Sequence, residues 1–74
     1  MFLKTMIEHC KVMSVYAGHN IAFANKNLNT ATTTDNRRFW GCQLTHWTEL
    51  KKAYENELKV LSEVEKNGRA NTEH

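Results

Sequence analysis

Proline is absent from the 74 residues, so no position locks φ or withholds a backbone N–H from a long helix. Two cysteines, Cys10 and Cys42, are too few for a disulfide scaffold, and no secretory signal precedes them. The thiols are expected to be reduced and the protein cytoplasmic. The opening "MFLKTMIEHCKVM" is broken by Lys4, Glu8 and Lys11 before any signal-like apolar run develops. No stretch approaches the ~20 apolar residues of a membrane span, so the expectation is a soluble chain without a membrane partner. Met6 and Met13 stand as alternative starts to Met1.

Charge of one sign is also lacking. The net charge is +2, and residues 35–74 balance their basic and acidic groups. A nucleic-acid binder is usually more basic than this. No GxGxxG, P-loop, HExxH or GxSxG pattern occurs, and no pair of acidic residues flanks an obvious pocket. The chain is therefore expected to carry no catalytic residues and no cofactor.

What is present is helical periodicity. Leu3, Met6, Ile7, Cys10, Met13, Ala17, Ile21, Ala24 and Leu28 recur in steps of three and four, one face of a helix. Gly18, followed by His19 and Asn20, could end a helix there. The pattern allows one helix over about 2–28 or two pieces broken near 18–20, with the continuous form preferred. A second run, Trp40, Leu44, Trp47, Leu50, Tyr54, Leu58, Leu61 and Val64, predicts a helix over about 36–66. Asp35 is its candidate N-cap, and Gly68 its candidate C′ residue with Lys66 in the last turn. Glu55 with Lys59 and Glu63 with Lys66 have the spacing of surface ion pairs. Residues 67–74 have no apolar period and are expected to fray.

Folding the chain back around Ala31–Thr33 pairs Leu3 with Leu61, Ile7 with Leu58, Cys10 with Tyr54, Met13 with Leu50, Ala17 with Trp47, Ile21 with Leu44 and Ala24 with Trp40. The index sum stays nearly constant, as an antiparallel hairpin requires. That offset puts the turn at 29–34, where Asn and Thr already disfavour helix. Small residues then face bulky ones across the seam. The predicted fold is all-α, a single domain built as an antiparallel two-helix hairpin. The alternative is a small α+β domain with a central β-hairpin, strands near 21–24 and 37–42 and Asp35-Asn36 as its turn. Poor alternation in "RRFWG" argues against it.

Phe2, Val12, Val15, Tyr16, Phe23, Phe39 and Val60 fall off the two stripes. Apolar side chains left in water in this number mark an interface. The simplest closure is a homodimer forming a four-helix bundle, and an unidentified protein partner would satisfy the same surface. Arg37 and Arg38 occupy the first turn of helix two, where cations are disfavoured. Together with Phe39 they form a candidate partner or anion site, and the alternative function is nucleic-acid binding through that helix N-terminus with Phe39 stacking on bases. A weaker constellation is His19 with Cys42 and His46, residue types that can hold zinc; a buried Cys is more often a small hydrophobe than a ligand. Trp47 and Tyr54 are expected to pack in the core, and Lys51 and Lys52 to be solvated. The functional expectation is a small non-enzymatic accessory or regulatory protein that works by protein–protein contact, of the kind phages and mobile elements use to modulate or inhibit a host factor.

Overall fold

A computed structural model of the chain describes the backbone of residues 2–72 and the side chains to residue 68. It consists of α1 (Phe2–Thr30) and α2 (Thr34–Thr72), which pack against each other as an antiparallel hairpin. The result is a rod of 62 × 15 × 13 Å. No strand occurs among the described residues, so the alternative with a central β-hairpin is set aside. Helix α1 runs unbroken through Gly18.

The turn is shorter than the sequence implied, residues 31–33 rather than 29–34. Thr30 stays helical because its hydroxyl donates to the Lys26 carbonyl at 3.2 Å and Ala31 N–H closes onto Leu28 O at 3.3 Å. The capping residue is Thr33, not Asp35. Thr33 Oγ1 accepts from Asn36 N–H at 3.1 Å, and Thr33 O accepts the first helical bond of α2 from Arg37 N–H at 3.0 Å. A hydroxyl at the N-cap satisfies one of the orphan amides of the first turn. Asp35 falls inside that turn, where its charge still meets the positive end of the dipole.

At the far end α2 does not stop at Lys66. It continues through Gly68, which keeps a right-handed backbone, to Thr72. A left-handed C′ residue is needed only where a helix ends, and here it does not end. Residues 67–72, expected to fray, are helical, and 73–74 lie outside the described residues. Glu55 pairs with Lys51 at 2.9 Å, not with Lys59.

The core is thin and lies on α1. Ile7, Cys10, Ala17 and Ala24 are buried, with Ala17 fully inaccessible. The stripe of α2 from Trp40 to Leu61 is half-buried, and no described residue of α2 is fully buried. Val64 is exposed because the index sum of the hairpin leaves it beyond Phe2, with no α1 residue opposite.

Two glycines inside the helices need no special backbone. A Cβ at Gly41 would meet nothing within 4 Å, and one at Gly18 would touch only Lys51 Cε at 3.6 Å. Gly41→Ala and Gly18→Ala are each expected to raise stability by about 0.5–1 kcal/mol, the helix-propensity difference. Urea titration of the two variants measures it, and a loss of stability at Gly41 would mean that something occupies the space beside it.

Candidate interaction surface

Side chains of the hairpin recur at an interval of seven. On α1 the column is Phe2, His9, Tyr16, Phe23; on α2 one column is Trp40, Trp47, Tyr54, Leu61 and its neighbour is Phe39, His46, Ala53, Val60. A helix of 3.6 residues per turn places residues seven apart almost in line, so each column runs along the rod. The hairpin sets them side by side.

Ring contacts cross the columns like rungs. Phe23 meets Trp40 edge-on at 5.5 Å, and Trp40 meets Phe39 at 4.9 Å. One level further from the turn, Tyr16 meets Trp47 at 5.5 Å and Trp47 meets His46 at 5.2 Å. The next rung is His9 against Tyr54 at 6.1 Å, beside Ala53. Edge-to-face geometry of this kind adds about 0.5–1.5 kcal/mol per pair beyond area burial. Trp47 also donates its Nε1–H to Gln43 Oε1 at 3.2 Å, so the indole has no polar atom left wanting. Asn20 and Asn27, which border the α1 column, turn back and donate to Tyr16 O and Phe23 O at 2.9 and 2.8 Å.

The rungs make one flank of the rod aromatic. Phe2 is 80% exposed, and Tyr16, Phe23 and Phe39 are each more than half exposed. Glu57, with Thr5, Met6, His9, Cys10 and Tyr54, lines a cleft of about 430 Å³ between the helices. A shallower hollow of about 250 Å³ sits on α2, bounded by His46, Glu49, Leu50 and Ala53. The opposite flank is where Lys51 lies over Gly18 and pairs with Glu55. One flank is dominated by aromatic rings with the carboxylates Glu57 and Glu49 at its clefts, and the other carries the Lys51–Glu55 pair.

Of the side chains that the sequence marked for an interface, Phe2, Tyr16 and Phe23 lie along the aromatic flank. Val12 borders it, one turn before Tyr16, and Val15 points away along the back of α1. Val60 lines a separate hollow of α2 with Asn56, Lys59, Glu63, Val64 and Asn67. Leu50, His9 and His46 belong to the flank without having been marked. The columns in the sequence, read at an interval of seven instead of three and four, would have found the histidines.

Arg37, Arg38 and Phe39 do not converge, since successive helical residues fan about 100° apart. Arg37 Nε donates to Ala31 O at 3.3 Å and so straps the turn. Arg38 lines a hollow of α2 with Gly41, Cys42, Thr45, His46 and Glu49, and Phe39 lies against Trp40. His19 does not join Cys42 and His46: sharing a level of the hairpin is not sharing a direction, and His46 turns to the Trp47 ring. Among the described residues no three His, Cys, Asp or Glu side chains come close enough to hold a metal ion.

The two thiols differ sharply. Cys42 is exposed and Cys10 is buried; desolvation raises the Cys10 pKa, and the Glu57 carboxylate raises it further. Only the thiolate attacks electrophiles. A thiol-specific disulfide reagent at pH 8 is expected to modify Cys42 at least tenfold faster than Cys10, the two rates converging in denaturant. Equal rates on the folded protein would show that the seam at Cys10 opens freely. Because the shift is upward, whatever Cys10 contributes to stability is complete below the ordinary thiol pKa and declines as pH rises above it.

Among the described residues no helix is long and apolar enough to cross a membrane. No protein-family model, curated protein or solved structure matches the chain.

Proposed function

We propose that this chain acts without catalysis, as a small accessory or regulatory protein whose working part is the aromatic flank and whose ligand is another protein surface. The observation that supports this most directly is that the four exposed aromatic side chains, Phe2, Tyr16, Phe23 and Phe39, fall on one side of the rod. Surfaces rich in Tyr, Trp and Phe and poor in charge have the composition of interface cores. A nucleic-acid partner has less support: Arg37 is engaged at the turn, and Arg38 and Lys59 each share a hollow of α2 with a carboxylate, Glu49 and Glu63.

The reading is tested by site-specific photocrosslinking in the native cells. Benzoylphenylalanine in place of Phe23 is expected to give protein adducts, and the same group in place of Lys52 is not. Adducts at both positions alike, or at neither, would refute a binding role for the flank. A duplex-DNA mobility shift that weakens steeply with salt would move the function to the basic side chains instead.

A further inference from the structure

The flank is long, and the monomer exposes more surface than a chain of its size should. Its accessible area is 5915 Å². A compact monomer of 8.6 kDa is expected to expose about 4,700 Å², which leaves an excess of about 1,200 Å² per copy, shared between the flank and the part of the 39-residue α2 that runs past α1. From helix dimensions, a face the length of the 29-residue α1 is about 43 Å long and, two helices wide, about 18 Å across. That offers roughly 750 Å² per copy, close to one side of a standard specific interface.

The relief of the flank is uneven in a way that suits a copy of itself. At the turn end the rung is Phe23, Trp40 and Phe39, with both phenylalanines projecting. Two rungs away the level is His9, Tyr54 and Ala53, where the small residue leaves the shallow hollow bounded by His46, Glu49, Leu50 and Ala53. Between them lies the Tyr16–Trp47 rung, and Tyr16 is the midpoint of α1. A two-fold axis through that middle rung, running across the helices, carries the projecting level of each copy onto the hollow level of the other.

Resting on the reading of the flank as a protein-binding surface, we infer that its occupant is a second copy of this chain, docked antiparallel about the Tyr16–Trp47 rung with Phe39 of each copy seated over Ala53 of the other. In this arrangement α1 lies against its symmetry mate and α2 against its own, giving a four-helix bundle. Phe23 meets His9, and Trp40 meets Tyr54. Tyr16 and His46, nearest the axis, meet their own counterparts. Isologous pairing closes the assembly at two. A parallel dimer would instead set the projecting Phe23 and Phe39 of one copy against those of the other and leave both hollows unfilled.

Sedimentation equilibrium and disulfide trapping test it on the full chain in a Cys42→Ser background. His46→Cys, at the axis, is expected to form a self-linked dimer under mild oxidation, whereas Leu61→Cys, at the open end, is not. A chain that dimerises without linking at His46→Cys would overturn the antiparallel geometry, since a two-fold axis along the rod lays α1 over the mate's α2 and sets His46 opposite Tyr16 instead of its own copy. Ala53→Trp fills the hollow while leaving an exposed helical position exposed. It is expected to weaken association at least tenfold with helicity kept, and an unchanged dissociation constant would remove Phe39 from the hollow. A wild-type chain that sediments as a monomer at every concentration refutes the second copy; if position 23 then still crosslinks to a different protein, the binding role of the flank stands, and if it crosslinks to nothing, both fall.

Discussion

Ala17→Leu is expected to cost the hairpin about 2–3 kcal/mol, the price of overpacking a closed seam. Ala17 has no accessible surface, and the register sets it level with Trp47. Three added carbons have nowhere to go unless the helices separate. Because Cys10, Ala17 and Ala24 share one column of α1, spreading the helices at the middle also loosens the contacts at both neighbours. Leu and Ala have nearly equal helix propensity, so the loss reports packing alone. For a chain whose total stability is on the order of 4–10 kcal/mol, that is a large share. Urea unfolding followed by circular dichroism measures it, with Ala22→Leu, at an exposed position of α1 off the aromatic flank, as the control for adding the same atoms. A change at position 17 below about 0.5 kcal/mol, within the range of ordinary surface substitutions, would show that the helices are not in close contact there.

Trp47→Ala is expected to be comparably damaging, for the opposite reason. The indole is the centre of the middle rung, touching Tyr16 and His46 and donating to Gln43. Truncating a fully buried Trp costs about 3–5 kcal/mol, and the half-buried state of this one lowers the expectation to about 2 kcal/mol. Trp47→Phe keeps the ring contacts and loses only the hydrogen bond, so it should retain most of the stability. The comparison is made by thermal melting at one fixed protein concentration, because any self-association makes the midpoint depend on concentration. Equal destabilisation by Ala and Phe would move the effect from the ring to the Gln43 bond.

The fold was open to reading because two stripes of steps three and four leave few ways to bury themselves, and the offset that matched small with bulky residues also put Asn and Thr at the turn. The limits of the helices were harder to read. Propensity alone marks Asn29, Thr30 and Thr34 as breakers, but Thr30 spends its hydroxyl on Lys26 O, and Thr33 takes the capping role from Asp35 through a bond to Asn36. Such local side-chain bonds decide an end within a residue or two, and several Thr and Asp positions could have made them. The surface was half legible. Tyr16, Phe23 and Phe39 stood out as apolar residues without a partner, yet their ring contacts with Trp40 and Trp47 depend on which side of the seam each residue leans toward. The arginine pair read as a site because both sit at one helix end. Their side chains part because adjacent residues on a helix face different ways.

The short turn, strapped by Arg37 to Ala31 O, also orders events in time. Every rung closes a larger loop than the one before it, and from the Phe23–Trp40 rung to the level of Phe2 and Leu61 the enclosed chain grows roughly fourfold, raising the closure cost by about 1 kcal/mol. The aromatic residues are densest where closure is easiest. Zipping should therefore start beside the turn and run outward, and the amides near Phe2 and Leu61 should exchange with solvent first, through openings that leave the Trp40 end intact.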